Sequence, residues 1–145
     1  MQLDYADMAI EQLAADQLRR RIKKVWKAGR NLDELPIRAR HKIRIRVKKI
    51  RYALGFFETV FSDRRKAITR LSKVLEEIQD ALGALNDFGA HRQLAADSAL
   101  TAPPTNRRAR AFVAGIVVGR EDEEATAVMK DAIKAVGKLR QLNAF

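Results

Sequence analysis

Residues 37–61 read IRARHKIRIRVKKIRYALGFFETVF. Within them Ile43, Val47, Ile50, Leu54, Phe57 and Phe61 step by 4, 3, 4, 3 and 4. That recurrence is one face of an α-helix, and its near-heptad period is that of a core seam between packed helices. A second set, His41, Arg44, Lys48 and Arg51, steps by 3, 4 and 3. At about 100° per residue it forms a face of its own, roughly 120° around the helix from the seam. One segment thus carries an apolar face for a bundle and a cationic face for another purpose.

The same periodicity predicts three more helices. Residues 4–28 carry Leu18, Ile22 and Val25 on one stripe, and Gly29 and Asn31 end it. Pro36 fits the start of the helix over 37–61. Ser62 and Asp63 offer a break and an N-cap for a third helix over 64–99. There Ile68, Leu71, Leu75, Ile78, Leu82, Leu85 and Phe88 recur at steps of 3 or 4, and Gly83 and Gly89 are places to bend. Pro103 and Pro104 interrupt any helix. The fourth helix, over 107–142, has Phe112, Ile116, Val117, Ala127, Val128, Ala132, Val136 and Leu139 on its apolar side. Ala114, Gly115 and Gly119 are small enough for close helix approach, and the acidic run at 121–124 reads as a solvated face. Four long helices with short connectors predict an all-α fold: one antiparallel four-helix up-down bundle spanning residues 1–145.

Charge is unevenly placed. The chain carries 29 Lys and Arg against 18 Asp and Glu, a net of +11. Residues 19–51 hold 15 of those bases and only 2 of the acids, so the whole surplus sits there. A concentrated positive field calls for a polyanionic partner. The absence of cysteine excludes a disulfide scaffold and a thiol nucleophile, and it suits a reducing cytoplasm. With 2 histidines, a His-rich metal site is not expected. No leader segment and no membrane span are read, so the expectation is a cytoplasmic protein without membrane contact.

Like charges at i, i+3 and i+4 cost a helix a few tenths of a kcal/mol, roughly, per pair. A solvated face explains such a row where acids are interspersed, but Glu58 is the one acid between 37 and 61. The first helix presents a second row, Arg20, Lys24 and Lys27, opposite its apolar stripe. Arg offers a planar fork to phosphate oxygens and Lys a point charge. Protonated beside phosphates, His41 joins the row.

The stretch from His41 to Leu54 resembles the signature of the CHAD family, the conserved histidine α-helical domain, in the form H-x-x-R-[IV]-x-x-K-[RK]-[IL]-R-Y. Residues 75–87, LEEIQDALGALND, resemble its L-x-x-[LI]-Q-D-x-L-G-x-L-N-D segment, and residues 114–120 resemble a later small-residue helix. The likeness spans roughly residues 13–142. It implies a helical bundle whose basic surface binds inorganic polyphosphate, at polyphosphate granules, with His41, Arg44, Lys48, Lys49, Arg51 and also Tyr52 as site residues. Arg20, Lys24 and Lys27 join them on charge and position alone. The family domain is usually twice this length, and the chain resembles its later half. Three readings of that stay open: a fragment of a longer protein, with a CYTH-type domain attached in some family members; a compact single-half member; and a protomer that forms a homodimer.

The expected function is therefore non-catalytic polyphosphate binding, with no cofactor, metal or catalytic residue assigned. Two alternatives stand beside it: non-specific nucleic-acid binding, for which no basic-plus-aromatic platform is visible in the sequence, and a structural or interaction bundle. Asp80, Asn86 and Asp87 lie on one stretch of the third helix, and Gln79 and Asp87 are expected to orient the basic side chains.

Overall fold

The computed structural model describes residues 3–142. Four helices account for most of them: α1 (Leu3–Ala28), α2 (Ile37–Phe57), α3 (Arg65–Thr101) and α4 (Arg107–Gln141). There is no strand among the described residues. The fold is the expected all-α, up-down helical bundle.

The connectors explain the boundaries. Gly29 follows α1 and lies against α4; a Cβ there would come within 2.9 Å of Val136 Cγ1. Leu32 is fully buried in a short 3-10 turn, Leu32–Glu34, that packs on α4. Pro36 then stands at the N-cap of α2 in an extended conformation, with φ −65° and ψ 157°. The helix ends at Phe57, short of the expected 61. Phe61 is buried all the same, because the chain turns back on itself: the Phe61 N–H donates to the Phe57 carbonyl at 3.3 Å. Ser62 and Asp63 do not cap α3. They belong to a second 3-10 turn, Ser62–Arg64, and Arg64 takes the N-cap position without a side-chain hydrogen bond.

α1 packs on α2, α2 on α3, α3 on α4, and α4 back on α1. The two seams read from the sequence are its core: Ile43, Val47, Ile50 and Leu54 from α2 meet Ile68, Leu71, Leu75, Ile78 and Leu82 from α3. Leu18 and Val25 of α1 and Ala132, Val136 and Leu139 of α4 close it. Each fully buried Leu or Ile contributes about 1.5–3 kcal/mol of hydrophobic stabilisation.

α3 runs unbroken through Gly83 and Gly89 for 37 residues, roughly 55 Å. Gly89 lies beside Ile37, the first residue of α2. Past that level α3 has only α4 as a neighbouring helix. The expected seam of α4 fails there: Phe112, Ile116 and Val117 are 71%, 48% and 42% exposed. Ala127 is exposed too. The stripe is present, but its first half lies where no third helix reaches. The acidic run is also more than a solvated face. His91 Nδ1 lies 2.7 Å from Glu121, and Arg92 donates to both carboxylate oxygens of Asp122 at 2.7 Å, so Glu121 and Asp122 join α4 to α3.

Candidate functional site

The cations of α2 gather in the groove between α2 and α3. Arg44 lies over Gly83: a Cβ on that glycine would stand 3.7 Å from Arg44 Nε and 3.8 Å from Nη2. Those are ordinary van der Waals separations, so the guanidinium packs flat on this stretch of α3. Seven residues along α2, Arg51 donates from Nη1 to Gln79 Oε1 at 2.8 Å, with Nη2 3.6 Å from Glu76. The two motif stretches therefore face each other. One supplies guanidinium groups and the other the amide that positions Arg51.

Two adjoining clefts result. The first is lined by Ile37, Arg40, His41 and Arg44 from α2 and by Leu82, Leu85 and Asn86 from α3. The second is lined by Lys48, Arg51, Tyr52 and Gly55 from α2 and by Ser72 and Gln79 from α3. In the first, Arg40 Nε and Arg44 Nε are buried and neither has a protein hydrogen-bond partner among the described residues. Burying such a donor unsatisfied costs about 1–3 kcal/mol. Neither arginine forms an ion pair among the described residues, and the leucines beside them offer no acceptor. The cleft is a small cationic recess of about 20 Å³, with room for roughly one water, and the half-exposed guanidinium groups lie at its mouth.

Of the expected residues, the structure brings Arg44 and Arg51 into the groove and puts His41 and Lys48 at its rim, both exposed. Lys48 Nζ lies 5.7 Å from the Tyr52 ring centroid, a cation–π contact. Lys49 is exposed and, five residues from Arg44, points roughly 140° away from it. Arg20, Lys24 and Lys27 are exposed on α1, and α1 lines neither cleft. None of these three makes a hydrogen bond or ion pair among the described residues.

The amide and acidic residues of α3 divide differently from expectation. Gln79 does orient Arg51, and Asn86 lines the first cleft. Asp87 is exposed and has no polar partner among the described residues. Asp80 faces the other side of α3, where it lines a groove with Glu77, Asp131, Lys134 and Lys138. Arg40 was missing from the expected set. Its signal was present: it sits 4 before Arg44 and 11 before Arg51, on their face. The row counted from His41 hid it, because the true inner row is Arg40, Arg44 and Arg51.

An aromatic platform is also present where the sequence showed none. Tyr52 and Phe56, four apart, are 67% and 81% exposed beside Lys48. No group of three metal-ligating side chains occurs among the described residues, and none of their helices is long and apolar enough to cross a membrane.

The family model described as the CHAD domain matches residues 2–96. The match takes in α2, both clefts and the two facing motif stretches. Residues 114–120, the third resembling stretch, lie outside it. No curated protein and no solved structure matches the chain.

Proposed function

The chain belongs to the CHAD-domain family, and on that premise we propose that it binds inorganic polyphosphate, or a similar polyanion, in the α2/α3 groove. One observation carries the reading: the Nε–H groups of Arg40 and Arg44 are buried without a protein acceptor among the described residues, in a recess that no carboxylate lines. Phosphate oxygens are the acceptors that fit a guanidinium fork. Arg40, Arg44 and Arg51 span 12 residues of α2, roughly 16 Å along the axis. A linear chain of phosphates laid in the groove meets them in turn, with His41 and Lys48 closing over it from the rim. Gln79 holds Arg51 in place, and Asn86 adds an uncharged donor. The role is binding, and no side chain is assigned a reaction. The same reading implies a cytoplasmic protein that collects where polyphosphate accumulates.

Calorimetric titration with long-chain polyphosphate tests it. Affinity falls steeply as salt rises, as it does for any ligand whose counterions are released. Two charge-assisted contacts at about 1.5–3 kcal/mol each make the expected loss for Arg44→Ala with Lys48→Ala roughly 100-fold or more. The bundle's melting temperature stays near that of wild type without ligand, and ligand raises it only in the wild type. An Arg20→Ala, Lys24→Ala control loses far less. Equal binding by wild type and the groove double mutant at moderate salt overturns the proposal.

Tyr52 and Phe56 favour a second reading, single-stranded nucleic acid laid along the outer face of α2. Base stacking on an aromatic contributes about 1–3 kcal/mol per base, whereas polyphosphate has no base to stack. Tyr52 also lines the second cleft, so Phe56→Ala, at a residue that lines neither cleft, separates the two. The substitution leaves polyphosphate affinity unchanged if the groove is the site, and lowers single-stranded DNA affinity by roughly tenfold if the platform is.

A further inference from the structure

The first third of α4 is apolar where nothing covers it. Phe112 and Ile116 are 71% and 48% exposed on the face turned away from the bundle. Gly115 and Gly119 share that face, and a Cβ on either would meet nothing within 4 Å. Neither has a positive φ. No turn and no neighbour among the described residues calls for glycine there, and glycine inside a helix is unfavourable. The two ends of the stripe are charged with opposite sign. Arg108 lies four residues before Phe112, and Glu123 four after Gly119; both are exposed and make no ion pair among the described residues.

These residues are self-complementary when the stripe is reversed. Turning a second α4 antiparallel about the midpoint between Gly115 and Ile116 sets Phe112 over Gly119, Ile116 over Gly115, and Arg108 over Glu123. Each pairing occurs twice. A bulky side chain meets a bare backbone, and a cation meets an anion. We propose that this stripe is a two-fold interface, and that the partner it fits is a second copy of the same chain. The size and charge matching hold only for an antiparallel, isologous contact. The result is two α3/α4 hairpins joined back to back as a helical bundle, with both α2/α3 grooves left open. The inference is independent of what those grooves bind.

Sedimentation equilibrium of the full chain tests it. Wild type is expected to be dimeric at about 100 μM, a range in which even a weak dimer is populated. Phe112→Asp and Gly119→Leu are each expected to weaken association at least tenfold. Both positions are exposed, so circular dichroism should show the helix content of each variant retained. Arg108→Glu and Glu123→Arg each weaken the dimer, and combining them restores it, since each copy then offers the swapped pair. Gly115→Cys, the sole thiol in the molecule, gives an interchain disulfide on air oxidation, whereas Lys130→Cys does not. A wild type that stays monomeric at that concentration overturns the proposal and leaves the stripe to a different partner. A dimer indifferent to Phe112→Asp and Gly119→Leu overturns it as well, because the contact then lies elsewhere.

Discussion

The two ends of α3 show what the bundle does with and without a third helix. Up to Gly89, α3 buries Ile68, Leu71, Leu75, Ile78 and Leu82 against α2, and α1 and α4 complete the core. Past Gly89, no residue of α3 is buried, and α4 buries none before Ala132. Two helices alone have too little surface to cover each other. The distal hairpin is joined instead by His91–Glu121 and Arg92–Asp122 and by half-buried Ala95, Ala99, Ala114 and Val118. Stability is therefore graded along one continuous helix, with burial at one end and exposed ion pairs at the other. The partition matches the two surfaces the molecule offers. The rigid end positions the guanidinium groups of α2, and the lightly held end presents the apolar stripe.

The sharpest way to break the comparison is to remove the same side chain from both ends. Leu75 is completely buried and Leu94 is 69% exposed. Leu75→Ala should cost about 2–5 kcal/mol, the transfer term plus the cavity left behind. Leu94→Ala should stay within about 0.5 kcal/mol. Urea unfolding followed by far-ultraviolet circular dichroism reads both. Comparable losses would show that the distal hairpin is packed as tightly as the bundle.

Glycine replacement gives a smaller contrast of opposite sign. Gly29→Ala puts a Cβ within 2.9 Å of Val136 Cγ1, and Val136 is buried and β-branched, so it has little freedom to give way. The expected loss is about 1–3 kcal/mol, as for other overpacked sites. Gly115→Ala meets open space. In a Phe112→Asp background, which removes any pairing through the stripe, it should gain about 0.5–1 kcal/mol from helix propensity. A gain at both positions would mean that α1 and α4 do not approach closely at Gly29.

How much of this was legible in the sequence follows from what a helical wheel contains. The seams of α2 and α3 were readable because burial against a helix leaves a 3–4 spacing, and Ile43 to Leu54 and Ile68 to Leu82 kept it. The exposure of Phe112 and Ile116 was not, because it depends on where α2 begins relative to α3, and periodicity carries no such lengths. The cationic face of α2 was readable as a face, but not which of its flanks meets α3. Counting the row from His41 passed over Arg40, whereas Lys49, on the far side, entered with the family resemblance and not from the face. Gln79 and Asp80 are adjacent in sequence and roughly 100° apart on the helix; one turns to Arg51 and the other to the groove with α4. Glu121 and Asp122 looked solvated because their partners, His91 and Arg92, lie 30 residues away.

Those distal ion pairs give the smallest effect and the most specific one. Arg92 grips both oxygens of Asp122 at 2.7 Å, yet the two side chains are 59% and 57% exposed. Exposed pairs contribute about 0–1 kcal/mol, and 1 M salt shortens the screening length to about 3 Å. Asp122→Asn should therefore cost under about 1 kcal/mol in global unfolding, and less again at high salt. Its local consequence is larger than its global one. Beyond the small Ala102 side chain in the connector, the hairpin tip has little buried surface and relies on such contacts to stay closed, so amides in residues 107–118 should exchange faster in the variant while those of residues 68–82 do not change. Equal acceleration in both stretches would mean that α3 opens as a single cooperative unit, and the graded stability inferred from its burial would be wrong.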